Sequence, residues 1–377
     1  MSNRGRLVST FLELVEIDSV SLEEKSLARY IATQLAPLGV DVSTDRSSEK
    51  TGSNTDNLLC SLPGDDSRPR LLFVMHMDTV EPGRGVVPVV EGDIITSEGH
   101  TVLGADDKAG VALSIELVRR VVEEGSEHGV IDLVYTVAEE KGLVGSKNLD
   151  LSRIPRPDYV YVLDAEGAPG NIVLAAPYYD AVRAVFKGRT AHAGIEPEKG
   201  ANAIRAAAEA ITSMPMGRID PETTSNIGTI EGGRDRNCIP DLCEIRGEAR
   251  SLDEKKLEGL VGTIREALAS AATDGVGVEI EIQRGFEGFS ISRDHPAVVL
   301  AAEALRAAGL DVVYRKAGGG SDANVFNAMG LPAVALSVGY RSAHAVDERV
   351  SISDLERSLT YLLELVRLAA GRRLEHG

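Results

Sequence analysis

Histidine and carboxylate side chains follow directly after apolar segments at several places in this 377-residue chain. The apolar run Leu71–Met75 is long enough for a buried strand, and His76 and Asp78 come immediately after it. If the strand continued, its alternation would turn these two side chains to the same side. Further along, Asp106 and Asp107 stand in the sequence LGADDKAG, a glycine-flanked turn before a helix. Imidazole and carboxylate groups in such places predict a metal site.

More carboxylates occupy equivalent positions after later apolar runs. Glu139 and Glu140 mark the end of the run 131–138, and Asp164 follows the run 159–163. Strands that alternate with helices predict an α/β sheet. In such sheets, ligands bind outside the carboxyl ends of the strands. We therefore expect these acids to converge with His76.

The pattern of elements changes in the middle of the chain. Residues 179–283 have the order β-α-β-β-α-β, typical of a self-contained split-βαβ module. Alternating strands and helices return after it. The sequence thus predicts a discontinuous catalytic domain (1–177 and 286–377), with a central mixed sheet flanked by helices. It also predicts an inserted α+β domain (178–285).

Two local motifs predict helix starts. The sequence S-x-x-E from Ser21 to Glu24 has the form of a capping box and would open a helix that runs to about Ala36. Asp107 would cap the helix after the LGADDKAG turn, because a carboxylate there meets free N–H groups. We therefore expect Asp107 to be structural, not a metal ligand.

The composition limits the class of protein. A formal net charge of −18 argues against nucleic acid or an anionic membrane as a partner, and no apolar run is long enough for a membrane span. Cys60, Cys238 and Cys243 have no C-x-x-C spacing, which favours a reduced, cytoplasmic protein. Because aromatic residues are only 4% of the chain, we expect no aromatic-lined groove.

These residue types suit a two-metal hydrolase. Two divalent cations about 3.5–4 Å apart can share a carboxylate and a water, whose pKa falls to about 7. Such a site needs a bridging carboxylate, terminal His and carboxylate ligands, and a free carboxylate as general base. The sequence contains each of these parts.

The chain also resembles the dinuclear metallopeptidase family of peptidase T, carboxypeptidase G2 and acetylornithine deacetylase, and most closely the peptidase T-like members. The resemblance covers nearly the whole chain. It rests on HMD (76–78), LGADDKAG (103–110), AEEKGLVGS (138–146), LDAEG (163–167), AHAG (191–194), NCIPD (237–241), RGEARS (246–251), GGGSDAN (318–324) and SAHAVDE (342–348).

The resemblance implies a role for each ligand. Asp106 would bridge both cations. His76 and Asp164 would complete one cation site, and Glu140 and His344 the other. The two divalent ions would be zinc, with manganese or cobalt as alternatives, because mixed imidazole and carboxylate ligands suit all three.

The resemblance also assigns the residues around the metals. Glu139 would be the general base, Asp78 would hydrogen-bond the imidazole of His76 and set its tautomer, and His192 of the inserted domain would stabilise the oxyanion. Arg250 would bind a substrate carboxylate bidentately. Further substrate contacts would come from Asn226, Asn237, Gly319, Gly320 and Ser321. The inserted domain would be a lid and would form a homodimer.

Three functions remain open at this point. The first is a metal-dependent exopeptidase, like a tripeptidase or aminopeptidase, acting on small peptides. The second is an N-acyl-amino-acid amidohydrolase of the same fold, since both reactions cleave an amide. The third is a non-catalytic metal-binding or peptide-binding protein, against which the presence of Glu139 beside the complete ligand set argues.

Overall fold

The computed structural model describes residues 3–273 and 275–372; the ends of the predicted catalytic domain, residues 1–2 and 373–377, lie outside this range. Helices α1 to α10 span, in chain order, Asn3–Val15, Lys25–Leu35, Ser48–Thr51, Ala105–Glu124, Val144–Lys147, Ala203–Ser213, Glu254–Ser270, Pro296–Ala307, Asp322–Ala328 and Ile352–Ala370. Strands β1 to β18 span Asp41–Thr44, Leu58–Leu62, Leu71–His76, Pro88–Glu91, Ile94–Ser97, Ile131–Thr136, Tyr159–Ala165, Asn171–Ala176, Tyr178–Lys187, Gly217–Asp220, Thr223–Gly232, Leu242–Ser251, Gly277–Phe286, Phe289–Ser290, Val313–Lys316, Ala333–Ser337, Tyr340–Arg341 and Arg349–Ser351.

The chain divides into two compact units. Met1–Leu174, Ser290–Lys316 and Ser321–Gly377 form the first unit, and Ala175–Phe289 with Ala317–Gly320 form the second. The short segment 317–320, which the sequence analysis placed in the catalytic domain, thus groups with the second unit. The reason is steric: a Cβ at Gly320 would lie 2.3 Å from the Phe286 ring, so only glycine allows this approach.

The first unit contains the predicted mixed sheet, with strand order β1-β2-β6-β3-β7-β16-β8-β14 and β15 on β8. Strands β6, β3, β7 and β16 are parallel. Every residue of β3 and β6 is buried, as expected for parallel strands covered on both faces. Helices α4 and α8 pack against this sheet, and α1 and α10 pack against these helices.

The register of the parallel strands determines where the site can form. His76, the last residue of β3, pairs with Thr136, the last residue of β6. On its other side β3 pairs in register with β7, where Val74 lies opposite Val162. The residues that follow these strands therefore leave the sheet at the same edge. This edge is the carboxyl-end crevice that the sequence analysis predicted as the site.

A four-stranded sheet of order β17-β18-β5-β4 also belongs to the first unit. The sequence analysis missed it, because its strands have two to four residues and too little alternation to be recognised. The loop between β17 and β18 contains His344. This small sheet is thus the element that anchors one of the predicted metal ligands.

The second unit has the predicted α+β composition. Its antiparallel sheet has the order β10-β11-β12-β9-β13, where the short β10 is an addition to the predicted pattern. Helices α6 and α7 cover one face and bury alternate strand residues such as Val182, Ala184 and Phe186. No helix among the described residues is long and apolar enough to cross a membrane.

Candidate active site

Asp106 lies between two imidazoles in the first unit. Its Oδ1 is 3.2 Å from Nε2 of His76, and its Oδ2 is 3.3 Å from Nε2 of His344. The two carboxylate oxygens therefore face two different histidines. A carboxylate that bridges two cations needs this arrangement.

Each histidine has a further carboxylate beside it. Asp164 Oδ1 is 3.7 Å from His76 Nε2, and Glu140 Oε1 is 2.8 Å from His344 Nε2. The structure thus brings together all five predicted ligands, in the two halves that the sequence analysis proposed. Asp106 belongs to both halves.

The donor atoms fit divalent cations. Imidazole nitrogens and carboxylate oxygens lie within 4.8 Å of one another in two groups, His76 with Asp106 and Glu140, and His76 with Asp107 and Asp164. Such nitrogen and oxygen donors suit zinc, manganese or cobalt.

Asp107 belongs to the second of these groups, but both of its oxygens already accept hydrogen bonds from the backbone. Oδ1 accepts from the N–H of Gly110 at 3.2 Å, and Oδ2 accepts from the N–H of His76 at 3.3 Å. These two contacts fit the structural role at the start of α4 that the sequence predicts for Asp107. The Asp106–Asp107 peptide bond is cis.

The electrostatic environment of the two histidines favours positive charge, as the direction of their pKa shifts indicates. Burial alone would lower the pKa of His76, but the carboxylates of Asp164 and Asp106 raise it well above its ordinary value. Hydrogen bonds to Asp106 and Glu140 raise the pKa of His344 to about 10. Positive charge is thus strongly favoured between these acids.

The pKa values of the carboxyl groups at the site are shifted as well. Burial raises the pKa of Asp164 to about 7, and the neighbouring Asp106 contributes to the rise. Burial likewise raises the pKa of Glu139 well above its ordinary value, and Asp164 adds to this effect. Hydrogen bonds with His344 and His76 overcome the effect of burial at Asp106 and lower its pKa. Several acids therefore share a buried space that divalent cations would neutralise.

Asp78 differs in part from its predicted role. Nδ1 of His76 is 2.8 Å from the backbone carbonyl of Asp78 but 3.5 Å from its carboxylate, so the carbonyl makes the shorter contact. The strand ends at His76, and the chain then turns so that the Asp78 carbonyl reaches Nδ1 of the ring. The Asp78 carboxylate instead accepts from Glu139 N at 2.8 Å, Glu140 N at 3.2 Å and Ser21 Oγ at 2.6 Å.

Glu139 and Glu140 have different surroundings although they are adjacent. Both backbone amides are held by Asp78, and the Glu140 carboxylate faces His344. Among the described residues, the Glu139 carboxylate has no hydrogen-bond partner, although the residue is only 8% exposed. The Glu140 carboxylate thus lies beside a predicted metal ligand, and the Glu139 carboxylate could accept a proton.

The predicted capping box at Ser21–Glu24 is wrong. Helix α2 begins at Lys25, and the Glu24 side chain makes no cap. The N–H of Lys25 donates instead to Asn54 Oδ1 at 2.9 Å. Ser21 donates to Asp78, and Glu24 accepts from the N–H of Ala138 at 2.9 Å. Both residues of the motif therefore face the site. Each hydrogen-bonds to a residue distant in the sequence instead of to the first turn of the helix.

Glu348 is a functional residue that the sequence analysis did not single out. It is 1% exposed, and its carboxylate accepts from Gly104 N at 2.7 Å and from Asp106 N at 2.9 Å. Burial raises its pKa to about 7. Glu348 thus fixes the backbone that presents the bridging carboxylate. Its place at the end of the SAHAVDE motif was the available signal.

Tyr340 and Asp322 support the site in a similar way and were also missed. The Tyr340 hydroxyl donates to Asp164 Oδ1 at 2.9 Å. Asp322 Oδ2 accepts from Thr136 Oγ1 at 2.6 Å at the end of β6. Asp322 belongs to the GGGSDAN motif, which gave a signal, whereas nothing in the sequence marks Tyr340.

His192 lies in the second unit and is exposed. Its Nδ1 accepts from the N–H of Gly194 at 3.1 Å, and its backbone forms an isolated bridge with Cys238. A neutral ring whose Nδ1 accepts must carry its hydrogen on Nε2. His192 therefore offers a donor at Nε2.

Arg250 on β12 is held by its own unit. Its Nε and Nη2 donate to the two carboxylate oxygens of Glu248, each at 3.0 Å, and its guanidinium lies 4.9 Å from the centre of the Tyr179 ring. Tyr179 stacks on Phe286 with ring centres 5.0 Å apart. One aromatic ring thus lies against this arginine, and a second ring stacks on the first.

The other residues predicted to contact substrate differ in exposure and in their neighbours. Asn226 and Asn237 are exposed in the second unit. Gly319 lies near Arg250, since a Cβ there would be 3.8 Å from Nη1. Ser321 begins the third segment of the first unit, where its Oγ caps α9 by accepting from Ala323 N at 3.3 Å.

Family models, a relative and solved structures match this chain. A family model described as Peptidase dimerisation domain matches residues 179–276, and one described as Peptidase family M28 matches residues 57–205. An uncharacterised Bacillus subtilis (strain 168) protein, YqjE, is 43% identical over 371 residues, which cover 98% of this chain and 100% of that protein.

Two solved structures are similar over nearly the full length. The aminopeptidase PepT from Bacillus cereus ATCC 10987 is 40% identical with a TM-score of 0.87, covering 98% of this chain and 99% of the other. A tripeptidase from Staphylococcus aureus subsp. aureus Mu50 is 36% identical with a TM-score of 0.92 and the same coverage.

Proposed function

The chain belongs to the dinuclear metallopeptidase family of peptidase T, carboxypeptidase G2 and acetylornithine deacetylase, and we propose that it is a metal-dependent exopeptidase that hydrolyses short peptides. One observation carries the proposal: the two oxygens of Asp106 face two imidazoles, beside a general base with a free carboxylate. The amidohydrolase alternative is not favoured, because the similar structures at 40% and 36% identity bear peptidase names.

The five ligands His76, Asp106, Glu140, Asp164 and His344 would hold two divalent cations. We propose zinc, with manganese and cobalt as the alternatives that the same donors accept. When bound, such cations act as Lewis acids that lower the pKa of water and polarise the scissile carbonyl.

Glu139 would be the general base that transfers a proton during hydrolysis. Its carboxylate would take a proton from the attacking water and deliver it to the nitrogen of the departing amine. Burial raises its pKa, which makes it a stronger base than an exposed glutamate and a competent acid in the second step. Asp78 holds the backbone N–H of Glu139, so the backbone that carries this carboxylate is fixed.

The second unit would recognise the substrate. Glu248 occupies the Nε–Nη2 edge of Arg250, so the substrate carboxylate would bind at the remaining Nη1–Nη2 end. The Nε2–H of His192 would donate to the oxyanion. The backbone at Gly319 and Gly320, with Ser321, and the amides of Asn226 and Asn237 would complete the peptide contacts.

We propose that the chain is a cytoplasmic homodimer formed through the second unit. The match of residues 179–276 to the Peptidase dimerisation domain supports this assembly. Sedimentation of the purified protein tests it: a dimer is expected, and a strict monomer would leave His192 unable to act across subunits.

The function is tested with a substrate panel. Metal-loaded protein is given tripeptides, dipeptides, and N-acetyl and N-succinyl amino acids. Release of single amino acids from peptides is expected. Turnover of only the acylated amino acids would contradict the peptidase proposal, and binding without any turnover would favour a non-catalytic protein.

A further inference from the structure

The loop that follows β6 is held by side chains at four consecutive backbone amides. These amides have no strand partner, since β6 ends at Thr136. Their acceptors come from three distant segments: Val137 N donates to Asn57 Oδ1 at 3.0 Å, Ala138 N to Glu24 Oε1 at 2.9 Å, Glu139 N to Asp78 Oδ1 at 2.8 Å, and Glu140 N to Asp78 Oδ2 at 3.2 Å. The backbone position of the general base is thus set residue by residue.

Ala138 has the least favourable backbone conformation of the four residues in this loop. It is fully buried, with φ 49° and ψ 41°, a left-handed conformation in a residue that carries a Cβ. This conformation is disfavoured for a residue with a Cβ, because the Cβ comes too close to a backbone carbonyl oxygen. A buried N–H in such a turn also needs an acceptor. Glu24 supplies that acceptor one residue before Glu139.

Glu24 is itself rigidly placed. It is fully buried, and its carboxylate also accepts from Leu22 N at 2.8 Å and from Ser53 Oγ at 2.5 Å. The turn around it is tied to the chain beyond β3, because Ser21 N donates to Thr79 O at 3.2 Å. Three donors and a fixed turn leave this carboxylate little freedom.

The same turn reaches the site at a second point. Ser21 Oγ donates to Asp78 Oδ2 at 2.6 Å, and Asp78 holds the amides of Glu139 and Glu140. The turn 21–24 therefore contacts the base-bearing loop directly through Glu24 and indirectly through Ser21.

We propose that Glu24 is a positioning residue for hydrolysis: it holds Ala138 in the left-handed conformation that aims the Glu139 carboxylate. Within the described part of the chain, the hydrogen bonds of the Glu24 carboxylate all come from N–H and O–H donors of the protein, so it acts through the loop and not on the substrate. The inference rests on the proposed role of Glu139 as general base. A small displacement of a catalytic group can cost about 100-fold in rate, so the effect should appear in kcat.

The central comparison is Glu24→Ala with Glu24→Gln. Alanine removes the acceptor of Ala138 N, and we expect kcat for a tripeptide to fall at least about 10-fold. Glutamine keeps a carbonyl oxygen for Leu22 N and Ala138 N, while its amide can donate to Ser53 Oγ. We therefore expect it to restore kcat to within about threefold of wild type.

A matched control separates positioning from stability. Ser53→Ala removes a hydrogen bond on the far side of Glu24, and should lower the melting temperature while leaving kcat within about twofold. For Glu24→Ala, two metals per chain and KM should stay near wild type in the folded protein. A merely structural role predicts that kcat of folded Glu24→Ala is unchanged.

The outcomes decide the proposal. It is overturned if folded Glu24→Ala keeps wild-type kcat, if Glu24→Gln is as impaired as Glu24→Ala, or if metal loss accounts for the whole defect. If Glu24→Ala does not fold, Ser21→Ala tests the same turn by removing the hydrogen bond to the Asp78 carboxylate, with an expected fall in kcat of about threefold to tenfold at unchanged KM. Wild-type protein that is fully loaded yet inactive would instead refute the proposed function.

Discussion

Replacing Glu139 by glutamine tests the assignment of the general base most directly. The substitution keeps the size of the side chain but removes its ability to take a proton. Asp78 binds the backbone N–H of Glu139 and not its side chain, so the loop should keep its position. The ligands should also be unaffected, because the carboxylate that faces His344 belongs to Glu140.

The expected loss of rate follows from the role of Glu139 as general base. A positioned general base contributes about 10²–10⁴-fold to the rate, which corresponds to about 3–5 kcal/mol of transition-state stabilisation. We expect kcat of Glu139→Gln to fall by that factor, with KM changed little. Because Glu139 is a buried acid whose pKa is raised by burial and by Asp164, the metal-free variant should be at least as stable as wild type.

The neighbouring residue gives the matched control. Glu140→Gln alters a group 2.8 Å from His344 and should lower the metal content together with the activity. Rates are measured by amino acid release from a tripeptide, and metals by elemental analysis of the same samples. The reasoning fails if Glu139→Gln retains more than about a tenth of wild-type kcat, or if it loses metal as Glu140→Gln does.

Three further predictions concern the metals, the substrate carboxylate and the histidines. Removal of the metals by a chelator should abolish hydrolysis. Titration with zinc, manganese or cobalt should restore activity at two ions per chain. Full activity at one ion per chain would contradict the bridging role of Asp106. Arg250→Lys should lower kcat/KM for free-carboxylate peptides by about 10–100-fold but hardly change that for peptide amides, since lysine lacks the planar fork; equal losses for both substrates would exclude a carboxylate contact. The pKa of His344 is raised to about 10, so its contribution to the stability of metal-free protein is fully present below its unfolded pKa of about 6.5 and is lost as the pH rises through 10. Melting temperatures in chelator should therefore fall between pH 6.5 and 10, and less steeply in His344→Ala; parallel curves for the two proteins would contradict this coupling.

Local sequence patterns were sufficient to predict the fold class and the edge of the sheet where ligands would lie. Apolar runs such as Leu71–Met75 mark buried strands, and polar residues directly after them mark the sheet edge where ligands bind. The motif resemblance added the assignment of Asp106 and His344, whose segments lie outside those strands. Parallel register leaves the ends of β3, β6 and β7 at one edge, which explains the convergence of His76, Glu140 and Asp164. Asp106 and His344 reach the same place from the start of α4 and from the loop between β17 and β18.

Only the tertiary structure decided how those ligands and the base are held. Glu24 and Ala138 are 114 positions apart, and no periodic pattern links an acceptor with a donor at that distance. For the same reason Ser21–Glu24 looked like a helix cap, and Asp78 looked like a partner for an imidazole. A polar side chain has several possible local partners in the sequence, and folding selects among them by the buried N–H groups that would otherwise lack an acceptor.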